Sequence, residues 1–265
     1  MDTTYSKFAL VYDNLMDNIP YDEWTSYLKK LLDDYDIKEG IIAELGCGTG
    51  NITERLAEYG YDMIGIDNSP EMLDIAMQKG AANKSSSLYL CQDMREFELY
   101  GTAGTFISTG DSVNYLLTDE DMVKLFKRIN TFLFPRGIFI FDFKTLYLYR
   151  DVIGDRTIAE DREDCSFIWD NWFDEDTRIN EYDLSVFIKE ETGDPGSNIF
   201  RKYQEIHRQR GYTLEEMKKF ASEAGLEWVA EMDSETMGNV TEQSERILCV
   251  VREKSKKLPP GSRGE

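Results

Sequence analysis

The chain has 265 residues, of which 41% are hydrophobic, and 30 Lys and Arg stand against 51 Asp and Glu, for a formal charge of −21. This length predicts one domain with an elaboration, or a large domain beside a small one, with enough apolar residues for a buried core. Proteins that read a nucleic acid backbone need a basic face, and no basic stripe is visible, so DNA and RNA are disfavoured as partners. We interpret the charge as a source of solubility rather than of substrate steering.

Cysteine usage and hydropathy bear on the compartment. The four cysteines, at positions 47, 91, 165 and 249, form no C-x-x-C pair, and with one histidine they suggest no zinc site. No apolar run has the length of a membrane span, and the first residues are unlike a signal peptide. We therefore expect a cytoplasmic protein with reduced thiols and no membrane association.

The first forty residues are predicted to form a helical lead-in. Apolar residues recur at helical spacing from Tyr5 to Tyr12 and again from Trp24 to Leu32, and Asn18-Ile19-Pro20 separates the two runs.

A glycine-rich loop follows. Glu44-Leu45-Gly46-Cys47-Gly48-Thr49-Gly50 comes after a short apolar run and before a helix-like segment, so a ligand could touch its backbone near a helix N-terminus. The next strand-like run ends in Asp67, a carboxylate placed to bind a ribose diol. The dinucleotide fingerprint has its third glycine where Asn51 stands, and Glu44 would repel a pyrophosphate. The pattern favours a cationic, phosphate-free nucleoside, and a nicotinamide-dependent oxidoreductase is a disfavoured alternative.

This loop, together with Gly65-Ile66-Asp67-Asn68-Ser69-Pro70-Glu71-Met72-Leu73, resembles the first two motifs of the class I S-adenosylmethionine-dependent methyltransferases. The resemblance covers residues 40 to 145 well and resumes more loosely from 211 to 252. It implies an α/β fold with a doubly wound, mostly parallel seven-stranded sheet, and S-adenosylmethionine as cofactor. The cofactor-binding residues that it implies are Tyr12, Trp24, Glu44, Gly46, Cys47, Gly48, Asp67, Asn68, Met72, Gln92, Asp93, Met94 and Thr109.

The resemblance implies specific roles for the aromatic residues of the lead-in and for the acid after the third strand. The lead-in resembles the entry segment of glycine-type and amino-sugar N-methyltransferases, where aromatic residues cover the methionine part of the cofactor, and Tyr12 and Trp24 take that role by resemblance. A cation held against aromatic faces is a physical reason for it, and ordinary helix packing is the alternative. In the family an acid after the third strand, here Asp93, hydrogen-bonds the adenine amino group.

The remaining core elements follow from periodicity and capping signals. Residues 87–91 and 104–109 read as strands, residues 134–137 as a turn, and residues 138–143 as a fifth strand. Ser69-Pro70, Thr118 and Thr213 are predicted helix starts. Residues 227–232 and 246–251 complete the sheet.

Substrate groups are expected in the loop after the fourth strand, because ligands in open α/β sheets lie beyond the carboxyl ends of the strands. Asp111 and Asn114 are candidates to orient a nucleophile, and Asn114 and Tyr115 are candidate substrate contacts. Capping of the next helix is the alternative. Asp111 with Asp142 resembles the carboxylates of catechol-type, magnesium-dependent methyltransferases, but Phe143 and Lys144 follow where those need another oxygen ligand, so we expect no metal.

Residues 151–207 read as an inserted subdomain of three antiparallel strands that would roof the substrate pocket. Sheet-to-sheet dimerisation is the alternative, so either a monomer or a homodimer is expected. Near its end lies the one histidine, His207, on the same strand face as Glu205 and Gln209. His207 is a candidate base or substrate contact, and Arg210 a candidate ligand for a substrate carboxylate or phosphate.

The predicted organisation is a helical lid at residues 1–40, a core at 41–150 and 208–253, the insert at 151–207, and a flexible tail at 254–265. The predicted function is methyl transfer from S-adenosylmethionine to an unidentified acceptor, a small molecule with an amine or an ionised oxygen. The catalytic residues stay open among Asp111, Asn114 and His207. The alternatives are a methyltransferase of RNA or protein, and a non-catalytic S-adenosylmethionine-binding protein.

Overall fold

The computed structural model describes residues 8–38, 40–190 and 198–257. Tyr5, the predicted turn at residues 193–196 and most of the predicted tail lie outside the described residues. The helices are α1 Ala9–Leu15, α2 Tyr21–Asp34, α3 Asn51–Glu58, α4 Pro70–Asn83, α5 Asp119–Phe132 and α6 Leu214–Glu223. The strands are β1 Ile41–Leu45, β2 Asp62–Asp67, β3 Leu88–Cys91, β4 Ala103–Ser108, β5 Leu133–Lys144, β6 Thr157–Asp161, β7 Cys165–Asp174, β8 Ile179–Lys189, β9 Phe200–Arg210, β10 Leu226–Asp233 and β11 Arg246–Glu253.

Seven strands form the central sheet in the order β10-β11-β5-β4-β1-β2-β3. Strands β1 to β5 run parallel, and β11 lies antiparallel between β5 and β10. The order reverses between β1 and β4, so their carboxyl ends flank the crevice where such sheets bind ligands. The predicted fold class is confirmed.

Helix starts follow from the capping side chains. Ser69 accepts a hydrogen bond from the Met72 amide and Pro70 opens α4. Thr118 caps α5 in the same way, and Thr213 and Glu216 form a reciprocal capping box at α6. The apolar faces of α5 and α6 cover one side of the sheet, and those of α2 and α3 cover the other. These two cores fix the strand ends that carry the site.

The insert is a separate antiparallel sheet in the order β6-β7-β8-β9, joined to β5 through a π-helix at Leu148–Ile153. Helix α1 packs on its inner face, where Phe8, Val11 and Leu15 meet Cys165, Phe167, Leu184 and Val186 in a small third core. We call α1 together with β6–β9 the roof. The lead-in helix therefore packs with the insert as well as with the core.

Three details differ from the sequence prediction. The insert has a fourth strand, β6, which the sequence did not predict, and β9 continues to Arg210 rather than ending near His207. Residues 134–137 were predicted as a turn but belong to β5. Arg136 takes a left-handed conformation (φ 64°) that makes the strand irregular there, and the pairing of β5 with β4 resumes at Ile138.

Candidate functional site

The glycine loop between β1 and α3 is held open by its backbone. The amides of Gly46 and Cys47 donate to the carbonyl of Ile66, at 2.8 and 3.1 Å, and this fixes the loop against β2. A Cβ on Gly46 would lie 2.5 Å from Ser112 Oγ, whereas a Cβ on Gly48 would meet nothing within 4 Å. Gly46 is thus required for close packing against the loop after β4, and Gly48 faces open space that a ligand could fill.

Asp67 stands at the end of β2, beside that space. Its carboxylate accepts hydrogen bonds from the amides of Gly48 (2.8 Å) and Ser69 (2.9 Å). Burial raises the pKa of Asp67, although these amides oppose the rise. The neighbouring Asn68 is exposed, and Met72 is buried in the first turn of α4. The carboxylate is therefore fixed where a nucleoside diol could be bound.

Glu44 is a buried carboxyl group at the end of β1. Thr53, in α3, donates a hydrogen bond to it. Burial raises the pKa of Glu44 to about 8 despite this bond. A cation brought next to Glu44 would favour its ionised form, so two carboxylates and an open glycine loop fit a cationic nucleoside better than a pyrophosphate.

Asp13 fixes α1 to the glycine loop. Its carboxylate accepts hydrogen bonds from Thr49 Oγ1 (2.7 Å) and Asn51 Nδ2 (2.9 Å), and lies 2.6 Å from Lys79 Nζ of α4. Partial burial opposes ionisation, but these hydrogen bonds outweigh it and lower the pKa of Asp13. We call these four residues the Asp13 latch, and it joins the roof to the predicted cofactor loop.

The segment after β3 closes another side of the crevice. The side chain of Gln92 hydrogen-bonds to the backbone of Glu98. Arg95 donates hydrogen bonds to the Asp93 carboxylate, and these are the main cause of the lowered pKa of Asp93. The Met94 methyl group would lie 3.6 Å from a Cβ on Gly46. Met94 therefore borders the glycine loop, and Asp93 is ionised and oriented by its neighbour.

A buried charge network lies at the carboxyl ends of β4 and β5. Arg246, the first residue of β11, contacts Asp111 (2.8 Å) and Asp142 (3.1 Å), and Lys144 lies 3.1 Å from Asp111. Burial opposes ionisation of Asp111, but Lys144 and Arg246 outweigh it and lower its pKa. Asp142 also accepts from the amides of residues 110 and 111, which holds Asp111 in a left-handed conformation (φ 57°). Two carboxylates and two cations thus balance within this network.

Two aromatic residues of the lead-in reach this part of the site. The ring of Trp24 lies 5.7 Å from the Arg246 guanidinium. The Tyr12 hydroxyl is hydrogen-bonded to Tyr21, and burial, with Tyr21 and Asp111 nearby, raises its pKa. Tyr12 and Trp24 therefore lie next to the charge network, and their contact with a cofactor stays a prediction.

The roof contacts the loop after β4 at two points. Gln209 Nε2 donates to Asp111 Oδ2 at 2.7 Å, and Tyr149 Oη donates to Gln209 Oε1 at 2.6 Å. Tyr115 Oη lies 3.0 Å from His207 Nδ1. Strand periodicity correctly placed Gln209 and His207 on one face of β9, and that face is turned to the candidate site.

Asn114 and Arg210, two other predicted site residues, are occupied by structural contacts. The amide of Asn114 donates to the carbonyls of Lys144 and Arg210 and accepts from the Lys144 amide. The Arg210 guanidinium pairs with Asp119 at 2.7 Å and stacks on Tyr212. Their contact with an acceptor stays a prediction, and their present contacts fix the loop after β4 against the ends of β5 and β9.

Sequence reasoning missed Arg246, the contact of Gln209 with Asp111, and the Asp13 latch. Arg246 lies 104 positions from Asp142 along the chain, and only the register of β11 against β5 brings the two together. Asp13 carried a usable signal, since it follows Tyr12 within the short helix α1, but nothing local identifies Thr49 as its partner.

The residues present fit S-adenosylmethionine. The space at Gly48 would take the nucleoside between Asp67 and Met94, and Glu44 lies where a positive charge would be stabilised. In the described parts of the chain, no group of three or more His, Cys, Asp or Glu side chains has the arrangement of a metal site. None of the described helices combines the length and hydropathy needed to cross a membrane.

Known proteins resemble this chain along most of its length. Residues 42–137 match the family described as "Methyltransferase domain". A Bacillus subtilis (strain 168) protein named "Putative methyltransferase YqeM" is 35% identical over 245 residues, which are 92% of this chain and 95% of that protein. The crystal structure of an S-adenosylmethionine-dependent methyltransferase from Clostridium acetobutylicum ATCC 824 has a TM-score of 0.84 at 25% identity and covers 94% of this chain and 99% of that one.

The structure of S-adenosylmethionine-bound CalS10, an amino pentose methyltransferase from Micromonospora echinaspora, has a TM-score of 0.71 at 17% identity, over 92% of this chain and 97% of that one. At this identity the likeness shows the fold. The 35% identity to the Bacillus subtilis relative extends over nearly the whole of both chains. The family that it indicates is the one that the glycine loop, the acids at the strand ends and the order of the sheet also indicate. The chain therefore belongs to the class I S-adenosylmethionine-dependent methyltransferases.

Proposed function

We propose that this methyltransferase acts on a small polar molecule with an amine or an ionised oxygen, bound between the loop after β4 and the roof. The observation that carries the proposal is that the roof contacts both loops, through the Asp13 latch on one side and through Gln209 and Asp111 on the other. A polymer would need an open edge at this place. The amino pentose methyltransferase CalS10 shares the fold and supports a polar amine as acceptor.

The chain's residues would bind and orient both reactants. Asp67 and the backbone at Gly48 would hold the nucleoside, Glu44 would offset the positive charge, and Tyr12 and Trp24 would cover the methionine part. When bound, S-adenosylmethionine supplies an electrophilic methyl group on a sulfonium leaving group. The protein then has to align the acceptor and exclude water, which the roof is placed to do.

The charge network limits what the acceptor can be. Asp111 is partly buried and ionised, and it faces Gln209 from the roof. A carboxylate in such a place attracts an ammonium or a hydroxyl donor. Because Lys144 and Arg246 already balance Asp111 and Asp142, a neutral or singly positive acceptor fits this network better than a phosphorylated one.

The test has two stages. Calorimetric titration with S-adenosylmethionine should give saturable binding, and formation of S-adenosylhomocysteine should then be followed across polar amines, hydroxylated metabolites, bulk RNA and unfolded protein. Turnover with a small amine or alcohol is the expected result. Turnover with RNA or protein alone would overturn the small-molecule assignment, and binding without turnover on any acceptor would favour a non-catalytic role.

A further inference from the structure

Three side chains, one from the loop after β4 and two from β9, form a chain that leads away from the acceptor side of the site. Tyr115 ends the 3₁₀ helix after β4, and His207 and Glu205 lie two residues apart on β9. Tyr115 Oη is 3.0 Å from His207 Nδ1, and His207 Nε2 is 3.5 Å from Glu205 Oε2. The imidazole therefore has a hydroxyl on one ring nitrogen and a carboxylate on the other.

The surroundings fix the imidazole in this orientation. His207 is 2% exposed and Glu205 is 6% exposed. The Tyr182 ring stacks on the imidazole, with ring centres 5.3 Å apart and an interplanar angle of 18°. The other carboxylate oxygen of Glu205 accepts from the Phe8 amide at 3.3 Å. A ring flip would exchange each ring nitrogen with a carbon and remove the contacts to Tyr115 and Glu205, so these contacts favour the observed ring orientation.

The chemistry of the two neighbours gives this chain a direction. A carboxylate oxygen 3.5 Å from Nε2 favours the tautomer that carries its proton on Nε2. In this tautomer the lone pair of Nδ1 accepts a hydrogen bond, and the Tyr115 hydroxyl, 3.0 Å away, is in place to donate it. The arrangement can move a proton from Tyr115 to His207, with Glu205 stabilising the imidazolium that results.

Tyr115 is the member that lies on the acceptor side. Ser112, in the same short helix, donates to the carbonyl of Gly46 in the glycine loop at 3.3 Å. Asn114 ties the helix to the backbone of Lys144 and Arg210. Tyr115 is therefore held at a fixed distance from the predicted cofactor loop, and it is partly exposed, whereas His207 behind it is buried.

We propose that Tyr115 is the catalytic base of the methyl transfer, and that His207 and Glu205 are positioning residues that act through it. The proposal rests on the proposed function and specifies its acceptor as a nucleophile that carries a proton at neutral pH, an ammonium or a hydroxyl. With a hydroxyl acceptor, the proton passes to Tyr115 Oη as the bond from oxygen to the methyl carbon forms and the carbon–sulfur bond breaks. An ammonium has no lone pair, so its proton passes to Tyr115 Oη first, and the neutral amine then attacks the methyl carbon as the carbon–sulfur bond breaks. The proton of Tyr115 passes to His207 Nδ1, and solvent takes it up after product release.

The first test needs no acceptor. His207 is the one histidine of the chain, so nitrogen NMR of an untagged, ¹⁵N-histidine-labelled protein shows one imidazole. We expect its proton on Nε2, with Nδ1 as a hydrogen-bond acceptor, and we expect Tyr115→Phe to move the Nδ1 resonance. Tyr203→Phe, a change on the same strand, is the matched control and should leave it in place. A proton on Nδ1, or an unmoved Nδ1 resonance in Tyr115→Phe, would overturn the relay.

The second test uses the acceptor that the panel yields. Removal of a general base typically slows a reaction by about 100-fold or more, so Tyr115→Phe should lower kcat by about that factor and leave the Kd for S-adenosylmethionine within about twofold. Glu205→Gln should lower kcat less and change the pH profile, which loss of packing alone would not do. If Tyr115→Phe turns over at the normal rate, the relay is wrong and the proposed function stands. If the wild-type protein binds S-adenosylmethionine but turns over no small acceptor of the panel, the proposed function itself is overturned.

Discussion

The Asp13 latch predicts that a residue outside the glycine loop controls cofactor affinity. Asp13→Ala removes the acceptor of hydrogen bonds from Thr49 and Asn51 and leaves Lys79 without its 2.6 Å partner. Bonds to a charged group contribute about 1.5–3 kcal/mol when buried. The Asp13 side chain is 39% exposed, so we discount the sum for solvent screening to about 1–2 kcal/mol.

If α1 must pack against the glycine loop to cover the cofactor, the free energy lost on removing the Asp13 contacts raises the Kd for S-adenosylmethionine. A difference of about 1.4 kcal/mol is tenfold in Kd, so Asp13→Ala should weaken S-adenosylmethionine binding by roughly 5- to 30-fold. Calorimetric titration at neutral pH measures this, because the lowered pKa of Asp13 keeps the latch charged there and lets it weaken only as the pH falls into the acidic range.

The matched control is Asp22→Ala. Asp22 is an exposed acid in α2 that pairs with Arg55 at 2.7 Å, and exposed pairs contribute little. Its removal should change the affinity by less than about twofold. An Asp13→Ala protein with unchanged circular dichroism and unchanged affinity would show that the docking of α1 does not influence cofactor binding.

Four further outcomes are expected. Asp67→Ala should weaken S-adenosylmethionine binding by about 1–3 kcal/mol, because buried hydroxyls of the nucleoside lose their acceptor, and equal affinity by calorimetry would remove Asp67 from the site. Gly48→Val should abolish binding, since its side chain would enter the space that is open beside Gly48; a folded variant that binds tightly would contradict this. The pKa of Glu44 is raised from 4.5 to about 8, so between these two pH values the folded state binds more protons than the unfolded state. The free energy of unfolding therefore falls as the pH rises, by at most about 1.4 kcal/mol per pH unit. Glu44→Gln should flatten this slope, as measured by denaturant titrations at pH 6 and 8. Arg246→Met should lower the free energy of unfolding by about 3–5 kcal/mol, because the buried Asp142 and the partly buried Asp111 lose this cation, whereas Arg252→Met on the same strand should cost far less.

The local elements of the core could be predicted because their signals lie within a few residues. Ser69-Pro70, Thr118 and the Thr213 capping box mark helix starts with side chains that contact the next turn. The glycine loop likewise needs only its own residues to stay open. These features depend on backbone conformation and short-range hydrogen bonds, which sequence patterns report directly.

Long-range features could not be predicted. Strand β6 consists mostly of exposed residues without apolar alternation, and it exists because it pairs with β7. The Arg136 irregularity continues β5 where Pro135 and Gly137 suggested a turn. The charge network depends on the register of β11, and a shift of one residue would turn Arg246 away from Asp142.

Helix α1 makes two sets of contacts at once. Its apolar side completes the small core of the insert, and its Asp13 accepts a hydrogen bond from Thr49 of the glycine loop. We therefore expect any change that loosens this seven-residue segment to affect both the predicted cofactor loop and the proposed acceptor site. Remodelling α1 to broaden the range of acceptors should therefore also weaken cofactor binding. Redesign is better directed to β7 and β8, because Asp13, which contacts the glycine loop, belongs to α1.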